Sequence, residues 1–186
     1  MTHLDTVAGS ISLRAFVETD FATLVQWIDS REALVQWAGP VQFHYPLSED
    51  QLAPYIAGSR GEQCKRRIFV PIDEHGTSCG HIELGAIDSF NQTATLCRVM
   101  IAPEMRGKGL CAPIVRMVLR VGFAELSLRR IDLRVYGFNT PGIRCYEKAG
   151  FVKEGLLRKS QKVGERYWDT VMMAILREEW NDAGPA

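Results

Sequence analysis

The stretch VMIAPEMRGKGLCAPIV, residues 99–115, decides the fold because it joins two apolar runs through a short basic segment. The first run ends at a proline and suits a β-strand, whereas the second repeats its apolar residues at helical spacing. Between them lie Arg106, Gly107, Lys108 and Gly109. Glycines allow a ligand to approach the backbone closely, and the first amides of a helix have no partner within it. Together with the basic side chains, this strand-to-helix joint predicts a phosphate site.

Three other interpretations of the basic segment compete with a phosphate site. An ordinary exposed turn with two basic residues would bind nothing and stays open. A Walker loop is excluded, because it needs Ser or Thr after Gly-Lys and Gly109 stands there. The segment GKGLCA, residues 107–112, does satisfy a dinucleotide fingerprint, but that fingerprint needs an acid at the end of the next strand. Asp132 lies near the start of that strand, which disfavours a dinucleotide site.

Strand-like and helical segments alternate on both sides of this joint, and they predict one α/β domain over residues 1–186. The expected strands are 11–16, 66–73, 78–88, 93–102, 130–136, 151–158 and 166–176, and the expected helices are 20–27, 30–37, one from 48, 109–126 and 140–150. Short turns join the three central strand candidates, so these should form an antiparallel meander. The basic segment then lies where the meander meets a helix.

Composition limits the class of protein. The chain of 186 residues is 46% apolar and 24% charged with no formal net charge, which argues against a general nucleic-acid binder. No apolar run is long enough for a membrane span, and the N-terminus lacks a signal pattern, so we expect a cytoplasmic protein without a membrane partner. The five cysteines are scattered and contain no CxxC pair. They predict reduced thiols, not a disulfide framework or a zinc site.

Charge is balanced overall but unevenly spread along the chain. Residues 1–60 contain seven acids and three bases, whereas residues 98–134 contain eight bases and three acids. The asymmetry either reflects solvated faces alone or indicates a cationic ligand on one side and an anionic ligand on the other.

Two motifs resemble the acetyl-CoA-binding segments of the GNAT acetyltransferases. RGKGLC at 106–111 follows a strand, and NTPGIRCYEKAGF at 139–151 follows about thirty residues later. The opening ISLRAF, the WAGP and YPLS loops and the closing DTVMMAILREEW are similar to the subgroup that includes ribosomal-protein N-terminal acetyltransferases. The resemblance implies a mixed, mostly antiparallel central sheet, flanked by helices and splayed at the cofactor site between strands 93–102 and 130–136.

The resemblance also implies where acetyl-CoA, the acetyl donor, would bind. Its pantetheine arm would enter the splay, pair with the backbone of one strand and meet an asparagine, while its pyrophosphate would lie on the basic loop. The implied cofactor-binding residues are Val99, Met100, Ile101, Arg106, Gly107, Lys108, Gly109, Leu110, Cys111, Asn139 and Tyr146. Cys111 replaces the small residue that ends the family's loop motif, and we expect its thiol to be a packing group.

Acetyl transfer to an amine needs few protein groups. Backbone N–H groups near 99–101 can stabilise the oxyanion. Tyr146 is predicted to be the general acid for the leaving thiolate, with ring packing as the alternative. Some relatives carry a glutamate base on the strand before the loop, but Leu96 stands at that position. Glu83, on the neighbouring strand, is the predicted substitute base, acting directly or through water; a surface or pairing role is equally compatible.

The acceptor is predicted to be a primary amine, either a peptide or protein N-terminus or a small amine. An α-amine, with a pKa of about 7.7–8.0, is more often neutral than a lysine side chain, and the acidic N-terminal third would attract a cation. Trp37, Phe43 and Tyr45 either wall the acceptor site or pack in the core. His75, Cys79 and His81 lack a regular ligand spacing, so we expect no metal ion.

Two functional alternatives remain open at this level. One is a transferase that uses a longer acyl-CoA, and the other is a non-catalytic acyl-CoA-binding module, which the missing acid at Leu96 keeps in play. The oligomeric state, monomer or homodimer, is also open.

Overall fold

The computed structural model describes residues 3–6, 9–61 and 64–181, and within them the strands form one eight-stranded sheet. The strands are β1 (His3–Thr6), β2 (Gly9–Ala15), β3 (Arg67–Ile72), β4 (Gly80–Asp88), β5 (Thr93–Ile101), β6 (Arg130–Tyr136), β7 (Val152–Val163) and β8 (Arg166–Leu176). The α-helices are α1 (Phe21–Trp27), α2 (Arg31–Ala38), α3 (Glu49–Ala57), α4 (Cys111–Arg120) and α5 (Thr140–Ala149). None of the helices in this part of the chain has the length and apolar character to span a membrane.

The strand order is β1-β2-β3-β4-β5-β6-β8-β7, and every neighbouring pair is antiparallel except β5 and β6. The predicted meander is therefore confirmed as β3-β4-β5, and the sheet is mixed but mostly antiparallel, as expected.

The parallel pair at the centre of the sheet stays together for only three residue pairs. Thr93, Ala94 and Thr95 pair with residues 130–132, and no further β5–β6 pair occurs among the described residues. β6 nevertheless pairs with β8 along its whole length. The two central strands therefore part, which confirms the predicted splay and leaves one edge of each strand's backbone open to a ligand.

A bulge in β5 accompanies this parting. His81 and Glu83 are two residues apart on β4, but their partners Met100 and Cys97 are three apart on β5. The bulge contains Arg98, whose φ of +51° is unusual for a residue with a side chain. A bulge bends its strand and increases the local twist, which is what separation from β6 requires.

The sheet separates two hydrophobic clusters. Ile68 and Val70 of β3 belong to the cluster around α1, α2 and α3, while Phe69 between them packs against the cluster around α4 and α5. Because alternate residues of a strand face opposite sides, helices cover both faces of the sheet. The helices α4 and α5, which carry the two sequence motifs, lie on the same face and pack against each other.

The helix expected at 109–126 starts two residues later than predicted. Gly107 and Gly109 have φ values of +77° and +75°, a left-handed conformation that an α-helix cannot use, so α4 starts at Cys111. Its apolar stripe is buried as the spacing predicts, and a π-helical turn, Val121–Glu125, follows it.

The prediction of reduced thiols was wrong for two of the five cysteines. Cys111 and Cys145 form a disulfide, with Cα atoms 5.9 Å apart, and so the Cys111 thiol is not a free packing group. Cys64, Cys79 and Cys97 are free. The pair is 34 residues apart and carries no spacing signature, because only the packing of α4 against α5 brings the two residues together.

The disulfide generates a prediction about stability. Closing a loop between residues 34 apart restricts the unfolded chain. We expect reduction to lower the free energy of unfolding by about 2–4 kcal/mol. Urea denaturation with and without a thiol reductant measures the difference, and a Cys111→Ser/Cys145→Ser double variant should be indifferent to the reductant. Equal midpoints for the wild-type chain under both conditions would contradict the prediction.

Candidate active site

A cavity of about 800 Å³ lies where β5 and β6 part. Segments that are distant in the sequence form its walls: β5 from Leu96 onward, the loop before α4, the end of β6, the first turns of α5, and the region of α1 and α2. A larger concave region, of about 1010 Å³, lies between α5 and the β7–β8 hairpin. It shares no lining residue with the first cavity and contains none of the predicted site residues.

The cavity brings together most of the predicted cofactor residues. Those that line it are Val99, Met100, Ile101, Arg106, Gly107, Gly109, Leu110, Cys111, Asn139 and Tyr146. Lys108 is the exception: it is exposed, and its Nζ lies 3.3 Å from the Met105 sulfur. The two sequence motifs therefore meet at one place, although they are separated by β6.

The loop before α4 exposes its backbone to the cavity. A β carbon on Gly107 or Gly109 would meet nothing within 4 Å, so both glycines are used for their left-handed φ and leave open space beside the chain. No side chain of the described residues caps the start of α4, and Pro113 in its first turn has no N–H to satisfy. The Arg106 side chain is held back to the strand, because its Nε donates to the Ile101 carbonyl at 3.3 Å.

Asn139, which was expected to follow the strand and reach a cofactor, also starts α5. Its side-chain Oδ1 accepts a hydrogen bond from the Gly142 amide at 3.1 Å, so Asn139 is the N-cap of the helix. This bond uses the side-chain oxygen and fixes the direction of the side-chain nitrogen. The cap therefore orients Asn139 at the wall of the cavity.

Tyr146 lies in the second turn of α5, where it lines the cavity while being only 8% exposed. Its ring contacts Phe151 edge-on at a centroid distance of 6.0 Å. Burial raises the pKa of the Tyr146 hydroxyl above its ordinary value, and the neighbouring Cys97 raises it further. A phenol with a raised pKa stays protonated at neutral pH, and so the hydroxyl is a hydrogen-bond donor there.

Glu83 does not line the cavity; it lies behind β5 and is 1% exposed. Its Oε2 accepts hydrogen bonds from the Tyr55 hydroxyl at 2.6 Å and from the Arg98 guanidinium at 2.7 Å. Its Oε1 lies 3.8 Å from Arg66 Nε. The predicted base is therefore paired with cations, and its catalytic role stays a prediction.

The remaining wall comes from the α1–α2 region. Trp27, Asp29, Gln36 and Trp37 line the cavity there, and Asp29 is the single carboxylate residue among those that line it in the described part of the chain. Phe43 is buried against Trp37 in the core instead, at a ring distance of 5.4 Å. The sequence reasoning missed Asp29, whose signal was its position between two short helices in the acidic third.

The outer aromatic residue of this region supports Asp29 indirectly. The Tyr45 hydroxyl donates to the Asp29 backbone carbonyl at 2.9 Å, which steadies the turn between α1 and α2.

No group of three potential metal ligands occurs among the described residues. His81 is buried, and burial, followed by the Arg98 charge, lowers its pKa to about 3, so its imidazole is neutral.

Comparisons with known proteins identify the family. The family described as Acetyltransferase (GNAT) domain matches residues 10–152. The chain is 29% identical over 173 residues to a spermidine N(1)-acetyltransferase from Vibrio cholerae, covering 92% of this chain and 96% of that protein. It is 29% identical over 164 residues to an aminoglycoside N(6')-acetyltransferase type 1 from Klebsiella pneumoniae, covering 78% and 76%. An uncharacterized N-acetyltransferase of a Bacillus subtilis prophage is 33% identical over 139 residues, covering 74% and 76%.

Solved structures agree with this relationship. The crystal structure of the Vibrio cholerae spermidine N-acetyltransferase in complex with CoA and spermine has a TM-score of 0.79 and 29% identity, covering 91% of this chain and 96% of that chain. These relatives do not support the narrower resemblance to ribosomal-protein N-terminal acetyltransferases, since those with a named substrate act on spermidine or aminoglycosides. The family match over most of the chain shows that it belongs to the GNAT acetyltransferases, as an acetyl-CoA-dependent N-acetyltransferase acting on amines.

Proposed function

We propose that acetyl-CoA occupies the cavity with its pyrophosphate on residues 106–111 and its pantetheine arm along β5. The observation that carries this proposal is that the open edge of β5 and the glycine loop border one cavity. Backbone groups of Val99 and Ile101 would form hydrogen bonds with the amides of the arm. These bonds would replace the pairing between β5 and β6, which ends at Thr95. The side-chain nitrogen of Asn139, whose oxygen caps α5, is the group left to meet the arm.

The reaction proposed is direct attack within a ternary complex. The neutral amine attacks the thioester carbonyl carbon, a C–N bond forms, and the carbonyl oxygen becomes an oxyanion that backbone N–H groups of β5 stabilise. Collapse of the intermediate breaks the C–S bond, and the amine nitrogen loses its proton to solvent. The Tyr146 hydroxyl donates to the departing sulfur. Because its pKa is raised, a hydrogen bond that strengthens as charge develops is its main contribution.

The acceptor proposed is a small primary amine that carries a second positive charge. Asp29 supplies the carboxylate on the cavity wall, and Trp27 and Trp37 supply aromatic surface beside it. Aromatic rings and a carboxylate together suit an alkylammonium group. The relatives that act on spermidine and aminoglycosides support this class, because both substrates carry several amines.

A peptide α-amine is the second candidate acceptor. The wall of β5 offers no carboxylate base, because Leu96 is apolar and Glu83 is paired behind the strand. An amine with a pKa of about 7.7–8.0 needs less help to lose its proton than one near 10.4. The acceptor panel described below separates the two classes.

Gly109 provides a test of the phosphate site. Replacing Gly109 by Val should weaken acetyl-CoA binding by about tenfold or more, because a branched residue opposes the left-handed φ and occupies the space beside the loop. Gly164, in the β7–β8 turn, is a matched control, since it also has a positive φ, of +58°, and open surroundings. Calorimetric titration should give wild-type affinity for Gly164→Val. Unchanged affinity in folded Gly109→Val would remove the loop from the site.

Tyr146→Phe tests the proposed acid, because it removes the hydroxyl and keeps the buried ring. We expect kcat to fall by about 10²–10⁴-fold with little change in acetyl-CoA affinity. The exposed Tyr167, on β8, is the control for the same substitution. Because the pKa of Tyr146 is raised, its hydroxyl should stay protonated below about pH 10, and its deprotonation should not limit kcat in that range. A variant with more than half of wild-type kcat, measured where chemistry limits the rate, would return Tyr146 to a packing role.

An amine panel tests the acceptor class by following CoA thiol release with a thiol reagent. Polyamines and aminoglycoside-type amines should turn over faster than monoamines. The panel also contains peptides and lysine derivatives as acceptors, and a longer acyl-CoA is tested as an alternative donor. Asp29→Asn should raise KM for the best polycationic amine by about tenfold and leave KM for acetyl-CoA unchanged. Glu32→Gln, an exposed neighbour outside the cavity, is the matched control. Equal KM values for Asp29→Asn and wild type would exclude this contact.

A further inference from the structure

A group of polar and aromatic side chains lies between β5 and the α2–α3 region and borders the cavity at two of its members, Arg98 and Trp37. Its central residue is Arg98, and its other members are Glu83, Tyr55, Trp37 and Gln42; we call this group the Arg98 cluster. The mechanism proposed above uses none of these contacts. Glu83 and Tyr55 are each 1% exposed, which makes the cluster an unusual place for an ion pair.

The guanidinium of Arg98 is held on several sides. It donates to Glu83 Oε2 at 2.7 Å and to the side-chain oxygen of Gln42. It also lies over the ring of Tyr55, 5.3 Å from its centroid, and near the ring of Phe43 at 5.8 Å. The Tyr55 hydroxyl donates to the same carboxylate oxygen that receives Arg98. The side chain therefore has one defined position.

The backbone of Arg98 is held as well. Its carbonyl accepts a hydrogen bond from Trp37 Nε1 at 3.0 Å, and Trp37 lines the cavity at the proposed acceptor wall. Arg98 occupies the bulge with a φ of +51°, immediately before the residues whose backbone faces the open side of the sheet. Strained conformations of this kind persist where surrounding contacts enforce them.

The Arg98 guanidinium keeps its positive charge in this setting. Burial is the largest single effect on Arg98 and lowers its pKa, but the opposing contributions, led by Glu83, together outweigh it, so the pKa of Arg98 is raised. Of the further titratable groups near the pair, His81 is neutral, and burial, followed by the Glu83 charge, raises the pKa of the Cys97 thiol to about 12. Arg66 is a second cation beside Glu83, with its Nε 3.8 Å from Glu83 Oε1. Removing Glu83 would thus leave Arg98 without its carboxylate, and removing Arg98 would leave Glu83 with only the more distant Arg66.

We propose that Arg98 and Glu83 are positioning residues whose ion pair holds the β5 bulge and so aims the backbone of residues 99–101 at the thioester. Through Trp37 and Gln42, the same pair fixes strand β5 relative to the acceptor wall. Glu83 then acts through Arg98 instead of serving as the general base. This inference rests on the proposed function, because it assigns a purpose to the geometry of that cavity.

A double-mutant cycle separates positioning from base catalysis. The variants are Glu83→Gln, Arg98→Met and the two combined. Each single variant should lower kcat/KM and acetyl-CoA affinity by about tenfold or more, since it removes the closest ion-pair partner of the remaining charge beside the bulge. The combined variant, which lacks both charges of the pair, should lose less than the product of the two single losses. The acid limb of its kcat/KM profile should keep the wild-type apparent pKa.

A general base at Glu83 gives the opposite pattern. The combined variant would then be no better than Glu83→Gln, and the acid limb would shift or disappear in both. Either result overturns the proposal. Wild-type acetyl-CoA affinity in both folded single variants would also overturn the proposal, because the bulge would then keep its geometry without the ion pair.

Controls distinguish this role from simple loss of stability. Arg130 and Glu154 form a two-pronged ion pair at 2.8 and 2.6 Å, outside the cavity lining. Arg130→Met/Glu154→Gln should leave acetyl-CoA affinity and both KM values unchanged. Arg98→Lys retains the charge and should recover part of the affinity lost in Arg98→Met. If Arg98→Met does not fold, Gln42→Ala replaces it as the test variant, because it removes an exposed partner of Arg98. We expect it to raise KM for acetyl-CoA by about threefold.

The readouts also separate failure of this inference from failure of the proposed function. Calorimetric binding of acetyl-CoA needs no acceptor, so it reports on the bulge even when no amine is turned over. Wild-type protein that binds acetyl-CoA and acetylates no amine in the panel would contradict the proposed acceptors and leave the binding comparison valid. Wild-type turnover together with unaffected Arg98 and Glu83 variants would contradict the positioning role alone.

Discussion

The early parting of β5 and β6 is the constraint on which the rest of the molecule depends. A backbone group in a sheet that loses its partner must find another partner or water, and leaving it buried and unmet costs about 1–3 kcal/mol. Here the two strands are joined at residues 93–95 and 130–132 and then diverge, while β4 and β8 continue to hold their outer edges. The fold thereby keeps an open pair of edges at its centre, where a peptide-like ligand can complete the ladder.

Two chemically different walls meet at that opening. The acidic N-terminal third contributes Asp29, and the basic middle segment contributes Arg106. Asp29 of the acidic third and Arg98, Arg106 and Arg134 of the basic segment thus line one cavity. On the function proposed above, a cationic amine and an anionic cofactor would each meet the complementary wall, and the parted strands would bring their reactive groups together.

Local patterns predicted much of this architecture. The helical spacing of α4, the turns of the meander and the glycines before α4 act over a few residues, so the sequence reveals them directly. The start of α5 at Thr140 was predicted correctly, whereas α4 begins after Gly109, later than predicted, because of that residue's left-handed φ. The sequence could not predict the partners of Glu83, the position of Asp29 or the disulfide, since each depends on residues that only the folded chain brings together.

The disulfide has a consequence for the connectivity of the chain. It joins the first residue of α4 to the middle of α5, so residues 111–145 form a closed covalent ring that contains α4 and the whole of β6. Cleavage of one peptide bond in the exposed part of the 126–129 turn would open this ring without dividing the molecule. The two walls of the cofactor cleft would remain one covalent body, and the fragments would separate only after the chain was reduced.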